Sequence, residues 1–209
     1  MTDLDQRIPT ASATTASLDR ARLLRRGFIL EWITLGWNGI GILVLAIAAI
    51  AASSVALAGF ALDSLIEVGA SAVVIWQLSG SGEERQRRAL QLIGIAFVLL
   101  AIYLTLQSTW VLAIGHHAGH SPAGIAWTAI TAAVMFALAY GKALTGAALD
   151  NAALRTEARV TLIDAFLALA VLSGLVLNST AGWWWADPAA AYVLVYYALR
   201  EARAALTQH

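Results

Sequence analysis

Long apolar runs separated by short polar connectors dominate the chain. Ala, Leu, Ile and Val make up most of each run, and Gly and Ser recur inside it. About 20 apolar residues are enough for a helix to cross a bilayer, and small residues let membrane helices pack closely. The pattern therefore predicts an all-α membrane protein with six transmembrane helices. The predicted spans cover residues 27–51, 54–78, 89–115, 123–142, 155–177 and 185–203.

The residues outside the spans are few. Residues 1–19 are polar and rich in Ser, Thr and Ala, without the basic start and short apolar run of a cleaved signal peptide. We expect them to form a disordered cytosolic tail, because so little hydrophobicity cannot support a packed core. The predicted organisation is then this tail, a six-helix membrane domain over residues 20–203 and a short C-terminal tail over residues 204–209.

The composition agrees with a membrane protein and excludes several functions. The chain is 60% hydrophobic and only 12% charged, whereas a soluble domain has about 25% charged residues. Cysteine is absent, which excludes disulfides and thiolate metal ligands. There is no Gly-rich phosphate loop, nucleophile elbow or zinc-protease motif, and no basic patch interleaved with aromatics. We therefore expect neither an enzyme nor a nucleic-acid partner.

Basic residues are confined to alternate connectors. The other three connectors contain no Lys or Arg, so the positive-inside rule predicts that both termini are cytoplasmic. As a separate expectation, we place the protein in a plasma membrane of the bacterial type. Trp183, Trp184 and Trp185 then fall at the outer interface, where aromatic residues anchor membrane helices. Apart from Arg7 near the N-terminus and Arg159 just inside the fifth span, the basic residues are Arg20, Arg22, Arg25 and Arg26 before the first span, Arg85, Arg87 and Arg88 after the second, Lys142 and Arg155 between the fourth and fifth, and Arg200 and Arg203 after the sixth.

Three acidic residues are predicted near the middle of the membrane. Asp63 and Glu67 are four residues apart in the second span, so both project from one face of a helix. Asp164 lies at a similar depth in the fifth span. Each such charge costs about 2.5–3.5 kcal/mol on insertion scales, which implies a bound cation, a proton or a base as a partner. If the two helices touch, the three carboxylates converge; hydrogen bonding of protonated acids to neighbouring helices is the alternative.

Three further polar residues are secondary candidates for such a site. Glu157 precedes Asp164 by seven residues and is either an additional ligand or, more often for such a position, a solvated charge at the helix end. Glu31 lies near the cytoplasmic end of the first span, where pairing with a nearby Arg is expected. Asn38 is two turns deeper and either bonds across helices or lines a path.

Two polar features near the outer surface have simpler interpretations. Asp187 precedes Pro188 at the start of the sixth span, and this order is typical of a residue that caps the helix it precedes. His116, His117 and His120 cluster in the loop before the fourth span. These imidazoles could bind a metal ion, but their spacing is not that of a helical metal motif and a solvated loop is the plainer reading.

The chain resembles the cation diffusion facilitator superfamily over roughly residues 27–203. Members have six membrane helices, cytosolic termini, an acidic or histidine pair four apart on helix two, and a His-x-x-x-Asp pair on helix five. The matching stretches are Ser54-Val55-Ala56-Leu57-Ala58-Gly59-Phe60-Ala61-Leu62-Asp63-Ser64-Leu65-Ile66-Glu67, Leu154-Arg155-Thr156-Glu157-Ala158-Arg159-Val160-Thr161-Leu162-Ile163-Asp164, Ala186-Asp187-Pro188 and Asn38.

Two departures from the family pattern are visible. Val160 occupies the position of the expected helix-five histidine, and the cytosolic metal-binding domain of many members is missing. In both features the chain is similar to the short branch of the family that includes the vesicular zinc transporter and its bacterial relatives. Without the imidazole, the selectivity for zinc depends on the remaining carboxylates, on a water molecule or on Glu157.

The resemblance implies a divalent-cation/proton antiporter that moves Zn²⁺ or a similar ion out of the cytosol. Asp63, Glu67 and Asp164 would be the metal ligands, with no permanent cofactor, and the family suggests a homodimer. Oxygen ligands suit hard and borderline divalent cations. Two other functions stay open on the residues alone: a non-transporting membrane scaffold, and a transporter of small organic cations with the acids as counter-charges.

Overall fold

The computed structural model describes the backbone of residues 11–78 and 83–207, which in these ranges forms six helices. No strand occurs within the described ranges. The helices are α1 (Ala11–Ala52), α2 (Val55–Leu78), α3 (Glu83–Ile114), α4 (Pro122–Ala148), α5 (Ala152–Ala181) and α6 (Ala186–Thr207). The predicted all-helical architecture is therefore confirmed.

Local chemistry fixes the helix ends that position the fold. Ser121 accepts a hydrogen bond from the backbone N–H of Gly124 at the start of α4, where Pro122 occupies the first turn. Asn151 does the same for α5 by accepting from the N–H of Leu154. Gly182 ends α5 with a φ of 66°, a left-handed conformation that glycine adopts at little cost.

Two predicted boundaries differ from the structure. The helix α1 begins at Ala11, so residues 11–19 are helical and not part of a disordered tail; residues 1–10 lie outside the described ranges. A Ser/Thr/Ala segment extends an existing helix readily because helix growth is far easier than nucleation. The fourth helix runs to Ala148, so Lys142, predicted in a connector, lies inside α4.

Four of the described helical segments are long and apolar enough to cross a membrane. Their bounds are Leu18–Ala52, Gly94–Ile114, Pro122–Ala148 and Glu157–Ala181. Large apolar side chains also face outwards, as shown by the exposed fractions of Ile47 (69%) and Ile50 (81%), whereas Glu31 and Lys142 are fully buried. This reversal of the pattern in soluble proteins makes the chain a multi-pass integral membrane protein.

The helices α1, α2, α4 and α5 surround a common interior. The most extensive contacts are those of α4 with α5, α3 with α6, and α1 with α2, while α1 also packs on α4 and α2 on α5. The pair formed by α3 and α6 packs against α2 and α5. The main apolar core includes the fully buried Phe60 of α2 and Leu104 of α3 and extends to residues of α5 and α6 such as Val171 and Leu194. The interior of the four-helix group is where the predicted polar residues meet.

Candidate functional site

Polar side chains form a continuous column along the inner faces of α1, α2, α4 and α5. On α2 they recur every four residues, and on α5 every three or four, which is the spacing of one helix face. We call this set the polar column. Its buried members are Glu31, Asn38, Asp63, Glu67, Ser71, Lys142, Glu157, Thr161 and Asp164.

Asp63, Glu67 and Asp164, named here the acidic triad, come together between α2 and α5. The carboxyl of Asp164 interacts with both of the others. All three side chains are buried. The convergence expected from the sequence is therefore present in the structure.

The carboxyl of Asp164 contacts two other carboxyls but no basic or neutral hydrogen-bonding group in the described part of the chain. It lies within hydrogen-bonding range of the Asp63 and Glu67 carboxyls, and among the described residues neither of its buried oxygens accepts a hydrogen bond from any other group. Within the described part of the chain, no basic side chain forms an ion pair with the acidic triad. Because an uncompensated buried charge is costly, carboxyls in this arrangement must share protons or bind a cation.

The acidic triad is not arranged as a closed coordination shell. Among the described residues, no group of three or more His, Cys, Asp or Glu side chains has the arrangement to hold a metal ion. The role of Asp63, Glu67 and Asp164 as metal ligands stays a prediction.

Glu67 is the best-anchored member of the acidic triad. Asn38 donates from Nδ2 to Glu67 Oε2 at 3.2 Å, and Thr161 donates from Oγ1 to Glu67 Oε1 at 3.5 Å. The bond from Asn38 confirms the expected interhelical contact, between α1 and α2, while its place along a path stays a prediction. These two donors, from α1 and α5, hold Glu67 in the column.

Lys142 is a member of the column that the sequence analysis missed. Its ammonium donates to Glu31 Oε2 at 3.1 Å, to Glu157 Oε1 at 3.3 Å and to Thr161 Oγ1 at 3.1 Å. We call Glu31, Lys142 and Glu157 the lysine cluster. Ser71 also donates to Glu157 Oε1 at 3.3 Å. The lysine cluster thus joins α1, α4 and α5, and through Ser71 also contacts α2.

The lysine cluster corrects two expectations. Glu31 pairs with Lys142 and not with an Arg. Glu157, expected more often to be a solvated charge at a helix end, is only 4% exposed and pairs with the same lysine. The reason is the length of α4, which continues to Ala148 and carries Lys142 into the interior.

A signal for Lys142 was present in the sequence. Thr131, Met135, Leu138, Lys142 and Thr145 recur every three or four residues, and all five are buried in α4. The lysine therefore continues the inner face of the helix. Val160, at the position of the expected histidine, is partly buried, while the adjacent Thr161 is fully buried and makes hydrogen bonds with Lys142 and Glu67.

Asp187 caps a different helix from the one predicted. It lies in the first turn of α6, but its carboxylate accepts hydrogen bonds from the Ser54 hydroxyl and from the backbone N–H groups of Val55 and Ala56. These N–H groups belong to the first turn of α2, where helix donors have no intrahelical partner. The start of α2 is thereby fastened to α6.

The outer aromatic and histidine residues form ring contacts. The imidazole of His117 stacks on Trp184 with ring centroids 5.2 Å apart, and Trp183 stacks on Trp185 at the same distance. His116, His117 and His120 are all exposed, in agreement with a solvated loop. They are remote in sequence from the polar column, and the structure gives them no contact with it.

No family model matches the chain, and no curated protein matches it either. The likeness to cation diffusion facilitators therefore depends on the motifs of the second, fifth and sixth helices.

Proposed function

We propose that this protein exchanges a divalent cation, with Zn²⁺ the expected ion, for protons across a membrane. The observation that carries the proposal is the buried Asp164 carboxyl, which lies within hydrogen-bonding range of two other buried carboxyls and accepts from no other group among the described residues. Three adjacent carboxyls can hold protons when empty and release them to a cation. Carboxylate oxygens are suitable ligands for zinc and for harder divalent ions.

The proposal includes a topology and a family. All six helices would cross the bilayer, with both termini in the cytoplasm, as the alternation of basic connectors supports. The motifs on α2, α5 and α6 support membership in the short branch of the cation diffusion facilitators. A homodimer in a bacterial-type plasma membrane, exporting its ion from the cytosol, is the corresponding assembly and location.

The decisive experiment is ion flux into proteoliposomes that carry a pH gradient and an internal zinc dye. We expect Asp164→Asn to reduce the initial rate at least about 100-fold, because even outer hydrogen-bond partners of a metal are typically worth about 10–100-fold. Asp150→Asn is the matched control. This residue is exposed in the α4–α5 turn at a φ of 49°, a conformation that Asn tolerates well.

Three results distinguish the rival functions. Equal flux through wild type and Asp164→Asn would refute the proposal. Folded wild-type protein that moves no divalent ion would favour a membrane scaffold. Inhibition of the flux by small amines but not by competing metals would favour an organic-cation transporter.

A further inference from the structure

The lysine cluster has the composition of a cation site in which the cation is the ammonium of the protein's own lysine. Two carboxylates, from α1 and α5, converge on one ammonium that enters from α4. Glu31 and Lys142 are fully buried and Glu157 is 4% exposed. Lysine carries a single compact charge with three donors, and here those donors reach Glu31, Glu157 and Thr161.

The two carboxylates in this cluster have more acceptor oxygens and more negative charge than the ammonium satisfies. Glu31 Oε1 is buried and has no hydrogen-bond partner, although its companion oxygen accepts from Lys142. The two carboxylates also carry twice the charge of the single ammonium when all three groups are ionised. A divalent cation in place of the ammonium would balance both charges and give Glu31 Oε1 a ligand role.

The position of the cluster places it next to the acidic triad. Thr161 accepts from Lys142 and donates to Glu67, so one hydroxyl connects the two sets. Glu157 is seven residues before Asp164 on α5, which is about 10 Å along a helix. A cation that moves along the column from the acidic triad towards the start of α5 therefore meets Lys142.

We infer that Glu31 and Glu157 form a second site for the transported divalent cation, and that Lys142 occupies this site as a tethered substitute. The cation binds there only when the lysine side chain leaves the two carboxylates, so Lys142 keeps this end of the column closed between transport events. The passage of ions through this site rests on the proposed function, whereas the binding capacity of the two carboxylates does not.

Zinc binding by the full-length protein in nanodiscs tests the inference with Zn²⁺ alone as the probe. We expect one Zn²⁺ per wild-type chain, two for Lys142→Met, and a return to one when Glu31→Gln is added to Lys142→Met. Lys142→Met combined with Asp164→Asn should keep one ion, bound by Glu31 and Glu157. Unchanged stoichiometry in Lys142→Met would overturn the inference.

The outcomes separate this inference from the proposed function. A wild-type protein without bound zinc, together with one ion in Lys142→Met that Glu31→Gln removes, would refute the acidic triad as a metal site and support the second site. One bound Zn²⁺ in both the wild type and Lys142→Met would support the acidic triad as a metal site and refute the second site. Thermal unfolding in the presence of zinc establishes that each variant is folded.

A second variant keeps the inference falsifiable if Lys142→Met does not fold. Lys142→Arg retains the charge but provides a bidentate partner for carboxylates, which holds them more tightly. We expect the maximal flux to fall about tenfold on this account, with the half-saturating zinc concentration unchanged. Wild-type flux in Lys142→Arg would contradict a side chain that must leave its partners during transport.

Discussion

Thr161 is the residue through which the two charged parts of the polar column contact each other. Its hydroxyl accepts a hydrogen bond from Lys142 and donates one to Glu67. A hydroxyl can do both at once because it has one proton and two lone pairs. A cation bound at Glu67 would compete for the carboxylate lone pairs that accept from Thr161. Under the proposed function, cation binding at the acidic triad would therefore weaken the hydrogen bonding around Lys142.

Thr161→Val tests this coupling at nearly constant side-chain size. The substitution leaves Lys142 with one acceptor fewer and Glu67 with one donor fewer, so we expect a loss of about 1–3 kcal/mol in unfolding free energy. Intrinsic tryptophan fluorescence during thermal unfolding measures it. Thr180→Val is the control on the same helix, because Thr180 is exposed and donates only to the carbonyl of Val176. Equal losses in both variants would contradict the role of Thr161.

The sequence identified the acids of the column better than their partners. Asp63, Glu67 and Asp164 stand out because a charge within an apolar run is conspicuous, and helix periodicity places the first two on one face. Lys142 lies near the predicted end of a span, where a basic residue is expected on the cytoplasmic side. Only the packing of α4 against α5 decides that its ammonium turns inwards.

At the scale of the helices, Gly174 determines how closely α5 and α6 approach. A Cβ atom at this position would lie 2.9 Å from the carbonyl oxygen of Ala186 and 2.9 Å from the Cβ of Ala190. Neither of these atoms belongs to a flexible side chain. Such close helix packing through small residues is typical of membrane bundles, and here it sets the start of α6, which carries Asp187.

Gly174→Ala is therefore expected to destabilise the protein although alanine favours helices. Overpacking costs about 1–3 kcal/mol, and alanine recovers up to about 1 kcal/mol of helix propensity. The midpoint of thermal unfolding should fall. Gly39→Ala in α1 provides the comparison, because no atom lies within 4 Å of a Cβ built there. A midpoint for Gly174→Ala at or above that of Gly39→Ala would show that the helices can separate freely.

Helix existence followed from the apolar runs, whereas helix ends did not. Each run contains a helix, since a 20-residue apolar segment has few other structures available in lipid. The ends depend on caps and on contacts between distant segments. Asp187 illustrates this: its place before Pro188 suggests a cap for α6, but its partners lie 131–133 residues away, at the start of α2.

For the whole molecule, the proposed crossing of all six helices would determine which ends of the chain share a side. An even number of crossings returns the chain to the side on which it started. The basic residues of alternate connectors favour the cytoplasm for that side. The lipid-facing surface carries large apolar residues such as Ile50, while the charged interior is shielded by the four surrounding helices.

Single cysteines test this topology directly, because the natural chain has none. Asp19→Cys, Asp150→Cys and Thr207→Cys should react with a membrane-impermeant maleimide only after the cytoplasmic face is opened. His120→Cys should react in intact cells. All four positions are exposed in the structure. Labelling of Asp19→Cys and Thr207→Cys from opposite faces would exclude an even number of crossings.

The bond between Asp187 and the start of α2 has a consequence for biosynthesis. A ribosome that has released α1 to α5 has not yet supplied the carboxylate that the N–H groups of Val55 and Ala56 require. The helix α2, which carries Asp63 and Glu67, is therefore translated early, but its start is anchored only after Asp187 of α6 has been made. Nascent chains halted before residue 187 should remain substrates for quality-control proteases, while full-length chains escape them.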